Sequence, residues 1–174
     1  MKDSKEGAKV PAAQPTMIIR QMQKKDYESI KRLFDEAYDE YLEFLQVNVP
    51  QRYTRERRER KAVAQESFDF FLKTESSFVV EKKREVIGYV ISQTISGLHG
   101  INNVLVVEYI VVRAEHRRRG VATALFQKLI DFAERHHMEQ IYETINPDNE
   151  ASIKLAQKVG FNVEDWKIAV LNLR

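Results

Sequence analysis

The 174-residue chain contains no cysteine. That absence excludes a disulfide scaffold, a thiol nucleophile and a zinc-thiolate site, and it suits a reducing cytoplasm, the compartment expected here. Long apolar runs are also missing. The longest candidate, Val104 to Val112, is interrupted by Glu108. A bilayer span needs roughly 20 apolar residues, so no membrane role is expected. Neither sign of charge dominates: the net charge is +2, too weak a global field to point to nucleic acid. The four histidines, His99, His116, His136 and His137, show no metal-ligand spacing, and no metal is expected.

What is present describes one domain with a core of ordinary size, since 43% of residues are hydrophobic. Met1 to Pro15 is rich in Lys, Ala and Pro and has no periodicity or secretory apolar core. It reads as a flexible leader over 1–15, with the folded domain over 16–174.

A short first strand is expected at Met17 to Arg20, then a helix capped by Asp26 with Ile30, Leu33, Phe34, Tyr38, Tyr41 and Leu45 at helical spacing. Pro50 ends that region, and a second helix is expected from Thr54 to Lys73. Phe78 to Val80 and Val86 to Ile91 flank the charged turn Lys82 to Glu85, a hairpin signature. Val104 to Val112 predicts a central strand. A helix from Gly120 to Arg135, a strand from Ile141 to Ile145 and a helix from Ala151 to Val159 follow, with Gly160 as the stop. Phe161 to Leu173 reads as one or two further strands. The order predicts an α/β fold: a mixed, mostly antiparallel sheet of about six to seven strands, with helices on both faces.

One stretch carries chemistry. A buried strand ending in Ile110, Val111 and Val112 runs into a basic turn, Arg117, Arg118 and Arg119, and then Gly120 opens a helix. Unpaired N–H groups at a helix start can hold a phosphate oxygen, and the helix dipole assists. Gly120 removes the side chain where a diphosphate must approach the backbone. A solvated turn with a corner glycine would leave the same residues, so the segment alone leaves both open.

This segment resembles the coenzyme-A-binding motif of the GNAT acetyltransferase superfamily, Gln/Arg-x-x-Gly-x-Gly/Ala, matched from Arg117 through Gly120 and Val121 to Ala122. A second family motif, Asn-x-x-Ser/Ala-Ile-x-Leu closing in Gly-Phe, is matched by Asn149, Ser152, Ile153 and Leu155, then Gly160 and Phe161. The resemblance covers roughly Met17 to Arg174. It implies a GNAT-like fold and an N-acetyltransferase that takes acetyl-CoA as co-substrate and lets the amine attack the thioester directly. It further implies that the backbone of Ile110, Val111 and Val112 pairs with the pantetheine arm. The amides from Arg118 through Val121 and Ala122 to Thr123 would cradle the diphosphate. Asn149 would contact the cofactor, although it is also a plain N-cap candidate.

An amine of pKa about 10.4 must lose a proton to react, so a base is needed. Glu108 is the first candidate, as a carboxylate expected to be buried in an apolar strand, where its pKa would rise. An ion pair or a solvent rim would also explain it. Glu143 is second. Many family members carry a tyrosine, the donor to the leaving thiolate, where this chain has Ala156. A catalytically silent acyl-CoA-binding or partner-binding module of the same fold is therefore the alternative. The implied acceptor is an amine-bearing small molecule, a peptide or protein N-terminus, or a lysine. A homodimer is a further expectation drawn from the family.

Overall fold

The computed structural model describes residues 16–59, 63–97 and 100–165. Five strands form one sheet in chain order: β1 (Ile18–Gln21), β2 (Phe78–Lys82), β3 (Glu85–Ile95), β4 (Val104–Val112) and β5 (Gln140–Glu143). The first three pairings are antiparallel and β4–β5 is parallel. Helices α1 (Tyr27–Asn48), α2 (Pro50–Arg58) and α3 (Gln65–Lys73) lie between β1 and β2 in the chain. Helix α4 (Val121–Arg135) joins β4 to β5, and α5 (Glu150–Lys158) follows β5.

Each face of the sheet buries a different helix set. Val121, Leu125, Leu129 and Phe132 recur at helical spacing along α4 and pack on Val80, Ile87, Leu105 and Val107, with Leu155 of α5 and Val159 just beyond it at the margin. On the opposite face Ile30 and Leu33 of α1 and Phe68 of α3 pack on Val79, Tyr89 and Ile91. Each fully buried side chain of this kind contributes on the order of 1.5–3 kcal/mol. The hairpin expected at Lys82 to Glu85 forms, with Lys83 and Arg84 both at positive φ (52° and 66°), the two-residue turn whose twist suits paired strands.

Four expectations need correction. The sheet has five strands among the described residues, not six to seven. Phe161 to Asp165 carries no strand, and the rest of the expected C-terminal strand, 166–174, lies outside the described residues, as does the leader over 1–15. The expected helix from Thr54 to Lys73 is two helices, α2 and α3. α1 ends at Asn48, just before Pro50 as expected, and Pro50 itself occupies the first turn of α2, where its missing N–H costs nothing. Asp26 precedes α1 without capping it through its side chain. Its carboxylate instead accepts from Gln23 N and from both Arg20 terminal nitrogens, at 2.8 Å each. Gly160, at φ 102°, stands just beyond α5 as expected.

Candidate active site

The β4–α4 corner is built by backbone conformation. Arg118 (φ 59°) and Gly120 (φ 80°) are both left-handed, which turns the chain sharply from strand into helix. The first backbone bond of α4 runs from Ala124 N to Gly120 O at 2.9 Å. The N–H groups of Val121, Ala122 and Thr123 therefore lie ahead of the helical ladder, at the positive end of a fifteen-residue helix. Arg117, Arg118, Arg119 and Gly120 are all exposed. A Cβ placed on Gly120 would meet nothing within 4 Å, so the space beside it is open. A shallow groove begins at Gly120 and Thr123 and reaches Lys128 and Lys158. This arrangement fits a diphosphate.

β4 supplies the next part. It pairs with β5 only from Val104 to Val107, and from Glu108 to Val112 the edge on that side has no strand partner among the described residues. Arg113 N donates to Ile87 O at 2.9 Å on the β3 side. Alternation along the strand then turns the N–H and C=O of Ile110 and Val112 toward the open edge and those of Val111 toward β3. Of the three residues expected to pair with a pantetheine arm, Ile110 and Val112 present their backbone and Val111 does not. Val112 O already accepts from Arg117 Nε at 2.8 Å, and Arg117 Nη1 lies 2.6 Å from Glu40 Oε2 of α1. These contacts border a cleft of about 440 Å³ between α1 and the β4–α4 corner, lined by Glu36, Glu40, Val111, Arg113 and Arg117 among others.

The open edge begins at a β-bulge. Ile91 pairs with Tyr109 but Ser92 pairs with Val107, so Glu108 is the extra residue. The carboxylate expected to be buried is exposed, because the bulge rotates it out of the pleat. Its Oε1 accepts from Gln93 Nε2 at 2.5 Å. Glu143 behaves in the opposite way. It stands in register with Val107 at the last β4–β5 pair, and its Oε2 is buried with no hydrogen-bond partner among the described residues. Burial alone pushes its carboxyl up to about 7. The two glutamates therefore come together at one point of the sheet, with the order of burial reversed.

An aromatic wall leads away from the bulge on the α1 side. Tyr109 meets Phe34 edge-on at 5.2 Å, Phe34 stacks on Tyr38 at 5.8 Å, and Tyr38 meets Tyr41 at 6.2 Å. Burial raises the Tyr41 and Tyr109 hydroxyls above their ordinary values. At the far end Asn146 Nδ2 donates to Tyr41 Oη at 2.6 Å. Arg52 Nη1 donates to Asn146 Oδ1 at 2.9 Å and to Asp148 Oδ2 at 2.8 Å. This strap joins α1 and α2 to the β5–α5 turn, and sequence reading missed it, since its partners stand about a hundred positions apart. Asn149 caps α5 by accepting from Ser152 N at 3.1 Å. Among the described residues no group of three His, Asp or Glu side chains could hold a metal ion.

An open strand edge that ends at a helix start with free amides is the layout implied by the two motifs, and comparison of sequences agrees. Residues 30–161 match the profile of the acetyltransferase (GNAT) family. The chain belongs to the GNAT family. Solved structures share this GNAT fold. Aminoglycoside N-acetyltransferase AAC(6')-Iy in complex with CoA superposes with a TM-score of 0.68 at 20% identity, covering 95% of this chain and 99% of the other. An aminoglycoside acetyltransferase from an uncultured soil metagenomic sample, in complex with sisomicin, gives 0.67 at 13%, covering 91% and 96%. Ribosomal-protein-alanine N-acetyltransferase from Brucella melitensis biovar Abortus 2308 gives 0.61 at 18%, covering 91% and 100%. No curated protein matches this GNAT sequence.

Proposed function

We propose that this GNAT acetyltransferase moves an acetyl group from acetyl-CoA to a primary amine, by direct attack within a ternary complex. The observation that carries the reading is a line of backbone groups with no strand or helix partner among the described residues: the amides of Val121, Ala122 and Thr123, then the edge at Val112, whose carbonyl is held by Arg117, and at Ile110, ending at the bulge beside Glu108 and Glu143. The amides at the α4 start would hold the diphosphate, with Arg118 and Arg119 adding charge. Ile110 and Val112 would pair with the pantetheine amides and deliver the thioester to the bulge. Acetyl-CoA supplies the activated acyl group when bound.

Glu108, exposed at the end of the aromatic wall, would take the proton released by the attacking amine, directly or through water. The acceptor would enter between that wall and the strap at Asn146. Tyr109 and Tyr38 form part of that wall. A cationic, amine-bearing small molecule suits such a surface. The similar structures with aminoglycosides make amino sugars a sensible first set of acceptors to try, with polyamines and peptide N-termini beside them.

The test is calorimetry with acetyl-CoA, followed by thiol release over that amine panel. Heat of binding and turnover are expected. Binding without turnover on any amine, together with a Glu108→Gln variant indistinguishable from the wild type, would support the silent binding module instead. Ala156, fully buried on α5 with no hydroxyl to offer, is the observation that favours that second reading.

A further inference from the structure

Amine acetylation moves two protons. As the C–N bond forms and the C–S bond breaks, the nitrogen loses a proton and the sulfur gains one. Glu108 provides for the first. We infer that the carboxyl of Glu143 provides for the second, donating its proton to the departing sulfur of coenzyme A. This rests on the acetyl transfer proposed above.

Three features of position support it. Glu143 pairs in register with Val107, and Ile141, two residues earlier on β5, packs in the cluster beneath α4. Alternation therefore puts Glu143 on the α4 face of the sheet, the side on which the diphosphate cradle lies. It is the last residue of β5 paired to β4, so it stands where the two strands part and a thioester laid along Ile110 and Val112 would end. Among the described residues its Oε2 is buried without a hydrogen-bond partner, so a bound sulfur would meet a carboxyl with no commitment on that oxygen to any of them.

The surroundings favour the neutral form. The titratable groups on the packed elements are Glu108 and Tyr109 on β4, Tyr142 on β5, Glu150, Lys154 and Lys158 on α5, and Lys128, Asp131, Glu134 and Arg135 on α4. Lys154 is paired with Glu150 at 2.9 Å, and the inward face of α4 is apolar. Burial, with no ion pair among the described residues, pushes the Glu143 carboxyl up to about 7, so a large fraction carries a proton at neutral pH. Ala156 offers no hydroxyl at its own position on α5. After each turnover Glu108 holds a proton and Glu143 lacks one. Exchange with solvent resets both, so the sum is amine plus acetyl-CoA giving amide plus the free thiol.

The test combines a titration and a kinetic comparison. In the wild-type protein, carboxyl carbon-13 NMR should show Glu143 titrating near 7 and moving by about half a unit or more on saturation with coenzyme A. With the best acceptor of the amine panel, the wild-type kcat should fall as pH rises above about 7, because the donor must keep its proton. Glu143→Gln should lower kcat about 10- to 100-fold, leave the affinity for acetyl-CoA within about twofold, and lose that high-pH limb. Glu143→Asp should keep the limb at reduced rate. A kcat that rises through the same window would make Glu143 a base, and a Gln variant with unchanged kcat and pH profile would make it structural. A Glu143 signal indifferent to coenzyme A would place it away from the sulfur. Any of these three overturns the donor role while leaving acetyl transfer intact. Failure of the wild type to bind acetyl-CoA removes the proposed function, and the donor role with it. Should the Gln variant not fold, the wild-type titration and the Asp variant still decide.

Discussion

Glu108 and Glu143 stand on adjacent strands within one turn of pleat, yet their environments differ, and so do the consequences of changing them. For Glu143 the folded carboxyl sits near 7 against 4.5 for an ordinary glutamate. Between those values the native state holds more proton than the unfolded chain, so stability is highest below the unfolded value. It declines as pH rises and levels off above the folded value. Glu143→Gln removes that decline and should stabilise the protein at pH 8 by about 1–3 kcal/mol, read as a higher urea midpoint. A wild-type midpoint that stays flat between pH 5 and 8, relative to the Gln variant, would rule it out. Gly120 makes a second residue-scale prediction. Its left-handed backbone disfavours any side chain, so Gly120→Ala should cost about 1–2 kcal/mol and also crowd the proposed diphosphate site. Thermal melting and acetyl-CoA titration should both register it. The turn at Gly120 was legible in the motif. The burial of Glu143 and the exposure of Glu108 were not, because alternation presumes a regular strand and a bulge leaves no mark in the pattern.

At the scale of elements, α1 is tied to both ends of the site. Its Glu40 holds Arg117, a residue of the cradle corner, at 2.6 Å with both side chains nearly half exposed. A carboxylate in that place competes with a phosphate for the same guanidinium. Glu40→Gln should tighten acetyl-CoA binding by about two- to fivefold, the effect shrinking with added salt, as an exposed pair is worth at most about 1 kcal/mol. Weaker binding in the variant would show that the pair instead orders the corner. The N-terminus of α5 depends on Asn149, whose cap bond to Ser152 N predicts a loss of about 1 kcal/mol for Asn149→Ala in a denaturant melt. The strands and helices from β2 to α5 were readable because their apolar periods are strong and turn residues separate them. The break between α2 and α3 was not, since no glycine or proline separates Arg58 from Gln65.

For the whole molecule the expected consequence of a formed donor site is ligand-linked stability. Acetyl-CoA at 100 times its dissociation constant should add about 2.7 kcal/mol, or roughly 5–10 °C in Tm for a domain of this size. A melt unmoved by saturating acetyl-CoA would remove the premise. The sequence by itself determined the class: two motifs at the starts of two helices, each placed by local rules of turn, cap and glycine that hold wherever the chain folds. Tertiary structure decided what those motifs face. Which edge of β4 lies open, which glutamate is buried, and how Arg52 and Asn146 meet across the top all depend on residues far apart in the chain. Burial and strand register exist only once the sheet has assembled.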